Sequence, residues 1–302
     1  MKIKINCFLT KSCISLLLLS SSFLSISAET EDVNYNWQRP AIEQSFATTR
    51  EPSHGLQNHT VYRPANMSLF NEHSVPVIVW ANGACRDSNY GFVFISTLVA
   101  THGFIVVANG AFDAPAITGG SVMPENLLNA LDWLESDEAA MQFSNRADLS
   151  KIAIAGQSCG GLEALIAGAD SRAKTVLAFN TGFFEGCELG VCRNELENLH
   201  TPVLWVNGGS SDIAYENSIA NYNLTNTPAY YAENKYAGHS GLLYGIREGN
   251  GDTLMLTQAE RIYVNWLDFM LNENIEAKDY FFGDDCDLCI NPDWVVRQKN
   301  WD

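Results

Sequence analysis

The segment KIAIAGQSCGGLEAL, residues 151–165, sets a serine and a cysteine side by side among glycines, and either side chain can attack a carbonyl carbon. A nucleophile held on a sharp strand-to-helix turn needs small residues two positions before and two after it, because backbones crowd there. For Ser158 those positions are Gly156 and Gly160. For Cys159 one of them is Gln157, whose side chain would collide with the turn. The spacing selects Ser158 as nucleophile and leaves Cys159 to present its backbone N–H to the oxyanion.

A serine hydroxyl needs a base, and in strand–turn–helix nucleophile sites the chain order runs serine, acid, histidine. Only His200 and His239 lie beyond Ser158. His200 precedes the apolar run PVLWVN and so falls at the far end of any sheet. His239, in KYAGHSGLL, follows AYYAENK and falls at the end where the serine sits. The acid is expected after PVLWVN, where GGSSDIAYEN offers Asp212 and Glu216. Asp212 comes directly after the turn, whereas Glu216 falls in the helix that follows; Asp212 is therefore assigned to hold the His239 tautomer. A second oxyanion donor belongs on the loop ANGACRDSN after VPVIVW, and the N–H of Ala84, next to Gly83, is the candidate.

These residues need a frame. Short apolar runs, VPVIVW, FIVVAN, KIAIA, TVLAF, PVLWVN and AYYAENK, alternate with stretches of helical periodicity. YGFVFISTLVATHG reads as a helix closed by Gly103, and MPENLLNALDWL lines up Leu127, Leu128, Leu131 and Leu134 after Pro124. A last long helix is expected to open with Thr257 and Glu260 as a capping box and to bury Ile262, Trp266 and Phe269. Strands alternating with helices give an α/β fold with a mainly parallel sheet covered on both faces, whose sites gather at the strands' carboxyl ends. Residues 29 to about 60 are polar and carry no clear period. The aromatic tail from about 275 is expected to dock on the body.

Lys2, Lys4 and Lys11, the apolar stretch CISLLLLSSSFLSI and the small residues SISA read as an export signal over residues 1–28, leaving 29–302 as one catalytic domain. The stretch is too short and serine-rich for a membrane span. Three of the 18 basic residues lie in it, so 15 remain against 35 acidic ones, a formal charge of −20. That acidity argues against nucleic acid and anionic membranes as partners. Outside the signal stand Cys85, Cys159, Cys187, Cys192, Cys286 and Cys289, an even number suited to disulfides in a secreted or periplasmic protein.

With these residues in place, the chain resembles the α/β-hydrolase superfamily, and NGACRDSNYGFVFISTLVATHGFIVV, GQSCGG, DIAYENS and AGHSG look like its dienelactone-hydrolase-like and cutinase or PET-hydrolase branch. The resemblance covers about residues 60–272. It implies an ester hydrolase with Ser158 as nucleophile, Asp212 as acid, His239 as base, and Ala84 with Cys159 as oxyanion donors. It implies no cofactor and no metal, and a small or polymeric ester as substrate. An acyltransferase, an amidase or a binding protein on the same fold are the alternatives. Two departures stand out: cytosolic dienelactone hydrolases carry cysteine where this chain has Ser158, and the polyester-cleaving members' aromatic positions correspond to Ala84 and the FNTGFF region. Tyr90, Phe92, Phe183 and Phe184 are candidates to line a pocket or to fill the core.

The segment between TVLAF and PVLWVN is about 20 residues, short for a lid. CDLC resembles a redox pair, but its flanking aspartates would raise a thiol pKa, and a structural disulfide fits better; zinc would need CELGVC and CDLC to meet. Because the N–H groups of Ala84 and Cys159 must converge on one oxyanion, Cys85 comes within disulfide range of Cys159. Two buried free thiols are the alternative.

Overall fold

A computed structural model describes residues 31–33, 46–112, 120–244 and 253–301. The export signal expected over residues 1–28 lies outside the described residues. The elements run β1 (Glu31–Val33), β2 (Thr48–Pro52), β3 (His59–Pro64), β4 (Val75–Ala81), α1 (Val93–Thr101), β5 (Ile105–Asn109), α2 (Glu125–Leu134) and α3 (Asp137–Gln142). They continue with β6 (Ala147–Gln157), α4 (Cys159–Ala167), β7 (Ala173–Phe179), β8 (Val203–Asn207), α5 (Tyr215–Leu224), β9 (Ala229–Asn234), α6 (Gly241–Tyr244), α7 (Thr253–Asn272), α8 (Ile275–Asp279) and β10 (Trp294–Lys299).

All strands join one sheet in the order β1-β2-β3-β5-β4-β6-β7-β8-β9-β10. The block from β5 to β9 is parallel, and β1 to β3 and β10 add antiparallel edges. The α/β architecture expected from alternating apolar runs is therefore present. Strands buried on both faces need apolar side chains at every position, which is why VPVIVW and PVLWVN show no polar alternation. Along β4, Ile78 and Trp80 join one core with α1 and α7, while Val77, Val79 and Ala81 join the other with α2 and α4. Trp80, Tyr263 and Trp266 are fully buried in the first, and Trp205 and Tyr231 in the second.

One sequence expectation is corrected and two open readings are resolved. The long helix begins at Thr253, so Thr257 lies inside it and not at its N-terminus. The residues before it, Leu254, Met255 and Leu256, are strong helix formers and carry the helix back past the Thr-x-x-Glu pattern. Glu260 is buried and bonds His102 Nε2 at 2.7 Å instead. Second, the polar stretch before residue 60 holds β2, paired antiparallel with β3. Its charges are met within the fold: Arg63 Nε donates to Glu51 at 2.8 Å and Gln142 Nε2 to the same carboxylate at 2.9 Å. Third, Phe92 and Phe183 are core residues, whereas Tyr90 is exposed and Phe184 partly so. The tail docks as expected, with β10 extending the sheet along β9 and Cys286 bonded to Cys289.

Candidate active site

Ser158 sits between β6 and α4 with φ 55° and ψ −118°, a backbone conformation that L-residues rarely adopt and that costs about 1–3 kcal/mol. The turn is as crowded as the sequence implied. A Cβ at Gly156 would strike the Gly160 carbonyl, and one at Gly160 would strike the Ala81 carbonyl on β4. The Thr181 hydroxyl pins the turn by donating to the Ser158 carbonyl at 2.7 Å.

The three residues singled out for proton transfer meet. His239 Nε2 lies 3.0 Å from Ser158 Oγ, and His239 Nδ1 lies 2.7 Å from Asp212 Oδ1. With Nδ1–H donating to the carboxylate, Nε2 carries the lone pair that faces the serine hydroxyl. Asp212 is buried, and its oxygens also accept from the Ala214 and Gly208 N–H groups at 2.9 and 3.1 Å and from Asn180 Nδ2 at 2.6 Å. Burial alone would raise its pKa. The bonds from His239, Ala214, Asn180 and Gly208 outweigh burial and hold the carboxyl below its ordinary value. The residues passed over lie elsewhere: Glu216 is exposed on the first turn of α5, and His200 is exposed and bonds the Asp170 carbonyl.

Cys159 is the first residue of α4, so its N–H has no acceptor within the helix. Ala84 lies in a one-turn helix, Gly83–Cys85, with positive φ at Ala84 and Cys85 (57° and 48°). A disulfide joins Cys85 to Cys159, with the Cα atoms 5.2 Å apart, so the loop after β4 and the turn after β6 are covalently tied. Cys187 and Cys192 form the third disulfide, within the short β7–β8 connection. Among the described residues, Cys85, Cys159 and Glu163 form the single group with metal-ligand proximity. In the disulfide the two sulfurs are not thiolates, so that group does not fit a metal.

Sequence reasoning missed what holds these loops in place. Each strand of the parallel block hands over to its loop through a buried amide: Asn109, Asn82, Gln157, Asn180, Asn207 and Asn234. At that edge the backbone leaves the ladder, and side-chain amides replace ladder hydrogen bonds with bonds to the departing loops. Asn82 donates to the Asn109, Ser88 and Arg86 carbonyls and accepts from Trp80 and Asn89, which shapes the loop carrying Ala84. Gln157 Nε2 donates to the His239 carbonyl at 3.0 Å, and Asn180 Nδ2 donates to the Gly238 carbonyl at 3.1 Å as well as to Asp212. The histidine loop is thus gripped by amides from two neighbouring strands. The signal was visible as an amide closing each apolar run, and nothing in the local pattern says which loop each one reaches.

Asn180→Ala removes a donor from a buried carboxylate, an interaction worth about 2 kcal/mol. The urea midpoint is expected to fall accordingly at neutral pH, and an unchanged midpoint would show that the bond contributes nothing.

No protein-family model and no curated protein gives a significant match to this sequence.

Proposed function

We propose that this chain is an exported serine hydrolase of the α/β-hydrolase type that cleaves carboxylic esters through an acyl-enzyme on Ser158. The observation that carries this reading is the continuous chain Ser158 Oγ, His239, Asp212, with contacts of 3.0 and 2.7 Å on a strained strand-to-helix turn. A packing turn has no need of a buried carboxylate aimed at a histidine, nor of that histidine aimed at a serine.

In the proposed cycle Ser158 Oγ attacks the ester carbonyl while its proton passes to His239 Nε2. Asp212 stabilises the imidazolium. The oxyanion is received by the N–H groups of Cys159 and Ala84, which a low-dielectric site makes more effective than water. His239 then protonates the leaving alkoxide, and a water activated by the same histidine hydrolyses the acyl-serine. Position 84 is an alanine, so the residue that supplies this proposed donor carries no aromatic ring to clamp the acyl group. The β7–β8 connection is short and closed by Cys187–Cys192, so among the described residues it adds no large cap. An open site of this kind suits bulky or soluble esters better than buried long acyl chains.

Three disulfides support a location in an oxidising compartment, periplasmic or extracellular, and no helix among the described residues is long and apolar enough to cross a membrane. The test is a panel of chromogenic esters of graded acyl length, assayed with and without amine acceptors. Hydrolysis with release of free acid is expected. Acyl transfer to the amine as the main outcome would make the chain an acyltransferase.

The formal charge of residues 29–302, 15 basic against 35 acidic, predicts a selectivity. Esters carrying a carboxylate should show lower kcat/KM than neutral esters of equal size at low salt, and added salt should narrow the gap by screening. An anionic ester that is preferred at low salt would contradict this.

A further inference from the structure

Glu163 takes no part in the cycle above, yet among the described residues it is the carboxyl grouped with the Cys85–Cys159 sulfurs. It lies on α4 one turn beyond Cys159 and is only 1% exposed, and one of its oxygens lies with both sulfurs in a cluster in which all three atoms are within 4.8 Å of one another. Oε1 accepts the Met123 N–H at 2.9 Å, while Oε2 is buried without a partner. A leucine or methionine there would avoid burying an unmatched carboxyl oxygen.

We propose that Cys85–Cys159 is a thiol–disulfide exchange site that takes a dithiol reductant, with Glu163 as the proton donor to the departing Cys159 sulfur. The two sulfurs are not equivalent. Cys85 lies partly exposed on the loop after β4, whereas Cys159 is 7% exposed at the first position of a nine-residue helix, so Cys85 is the sulfur assigned to meet the incoming thiolate. The positive end of that helix stabilises the negative charge that develops on Cys159 Sγ as the bond breaks, and the Glu163 proton then neutralises it in the buried site. The first thiolate of the dithiol attacks Cys85 Sγ, the S–S bond breaks, and its electron pair goes to Cys159 Sγ, which takes the Glu163 proton. The second thiol of the reductant then attacks the mixed disulfide, so the reductant leaves as a disulfide, Cys85 leaves as a thiol, and Glu163 regains a proton from water. Two electrons pass from the dithiol to the cysteine pair.

Glu163 keeps its proton to a higher pH than an ordinary carboxyl does. Burial raises the Glu163 pKa to about 7, with the Met123 N–H opposing the shift and the Glu125 carboxylate on α2 adding to it. A consequence rests on the hydrolase reading: opening the bond frees the Ala84 loop from the Cys159 turn, and ester turnover falls with it.

The chemistry is tested without reference to turnover. Full-length protein is treated with dithiothreitol at pH 7, thiols are trapped by alkylation at timed intervals, and peptides are quantified by mass spectrometry, with Cys187–Cys192 as the internal control. Glu163→Gln keeps an oxygen for the Met123 N–H but has no acidic proton, so it separates proton donation from capping. It is expected to melt near the wild type and to slow opening of Cys85–Cys159 at least about tenfold, leaving Cys187–Cys192 unchanged. Equal rates in the two proteins, or equal slowing of both pairs, would overturn the proposal. In a second arm, ester turnover should fall at least about tenfold in step with Cys85 and Cys159 alkylation and return on reoxidation. Turnover that persists with the bond open overturns the gating, whereas absence of turnover in the oxidised protein overturns the hydrolase reading and leaves the exchange result standing.

Discussion

Ser158→Ala is expected to lower kcat for ester hydrolysis by at least about 10³-fold while the chain remains folded, and His239→Ala should do the same. The two changes remove parts of one unit: without the hydroxyl the histidine has no proton to take, and without the histidine the hydroxyl stays a weak nucleophile. Combining them should add little, because residues that act together are strongly non-additive. Folding should survive, since Ser158 and His239 are partly exposed and the elbow is held by groups other than the serine side chain, including the Thr181 hydroxyl and the Cys85–Cys159 bond. Alanine also carries a Cβ, so it inherits the positive φ at 158 and introduces no new strain relative to serine. Steady-state kinetics with a chromogenic ester, with a thermal melt of each variant, is the check. Turnover kept in Ser158→Ala and lost in Cys159→Ala would move the nucleophile by one residue.

The second large effect is expected at Asp212. An asparagine there can present an N–H to His239 Nδ1, which stabilises the tautomer with its proton on Nε2 and takes the base away from Ser158; a loss of about 10⁴-fold in kcat follows from that error. Glu216→Gln, on the exposed first turn of α5, should change little. A damaging Glu216→Gln beside a mild Asp212→Asn would contradict the acid assignment.

The same variant has a stability signature. The Asp212 pKa is depressed in the folded chain, so its ionisation stabilises the fold above the unfolded carboxylate pKa of about 4, and that contribution is lost as pH falls through the lower folded value. The melting-temperature gap between wild type and Asp212→Asn should therefore be largest near neutral pH and shrink below about pH 4. A gap that widens on acidification would show that the hydrogen bonds to Asp212 do not favour its charged form.

The site was more legible in the sequence than the frame around it, for a physical reason. The elbow is marked by a local spacing: Gly156 is crowded by the Gly160 carbonyl and Gly160 by the Ala81 carbonyl on β4, and the five-residue pattern Gly-x-Ser-x-Gly separates serine from Cys159. His239 and Asp212 followed from chain order and from which end of a strand each loop leaves. The Cys85–Cys159 pairing followed because two N–H groups assigned to one oxyanion must sit close together.

What escaped depends on partners distant in sequence. Glu51 lies in a stretch without a clear period until β2 and β3 set it beside Arg63, and Glu260 looks like a capping residue until His102 is placed beside it. Thr257 failed as a cap because propensity in the preceding residues outweighed a local motif. The layer of strand-end amides was written in the sequence six times over, but an amide can bond any departing loop, and only the sheet order β5-β4-β6-β7-β8-β9 tells which.

The central claim is that the Ser158 hydroxyl is an activated nucleophile because of His239. It is tested most directly by reacting the native protein with a fluorophosphonate, which captures activated serines, then reducing, digesting with trypsin and sequencing the peptide spanning residues 152–172 by mass spectrometry. The account predicts one phosphonyl group, carried on Ser158, that is absent when the protein is unfolded before labelling and slowed by at least about 10³-fold in His239→Ala. An unmodified Ser158 in native protein that hydrolyses esters, or labelling equally fast without His239, would contradict it.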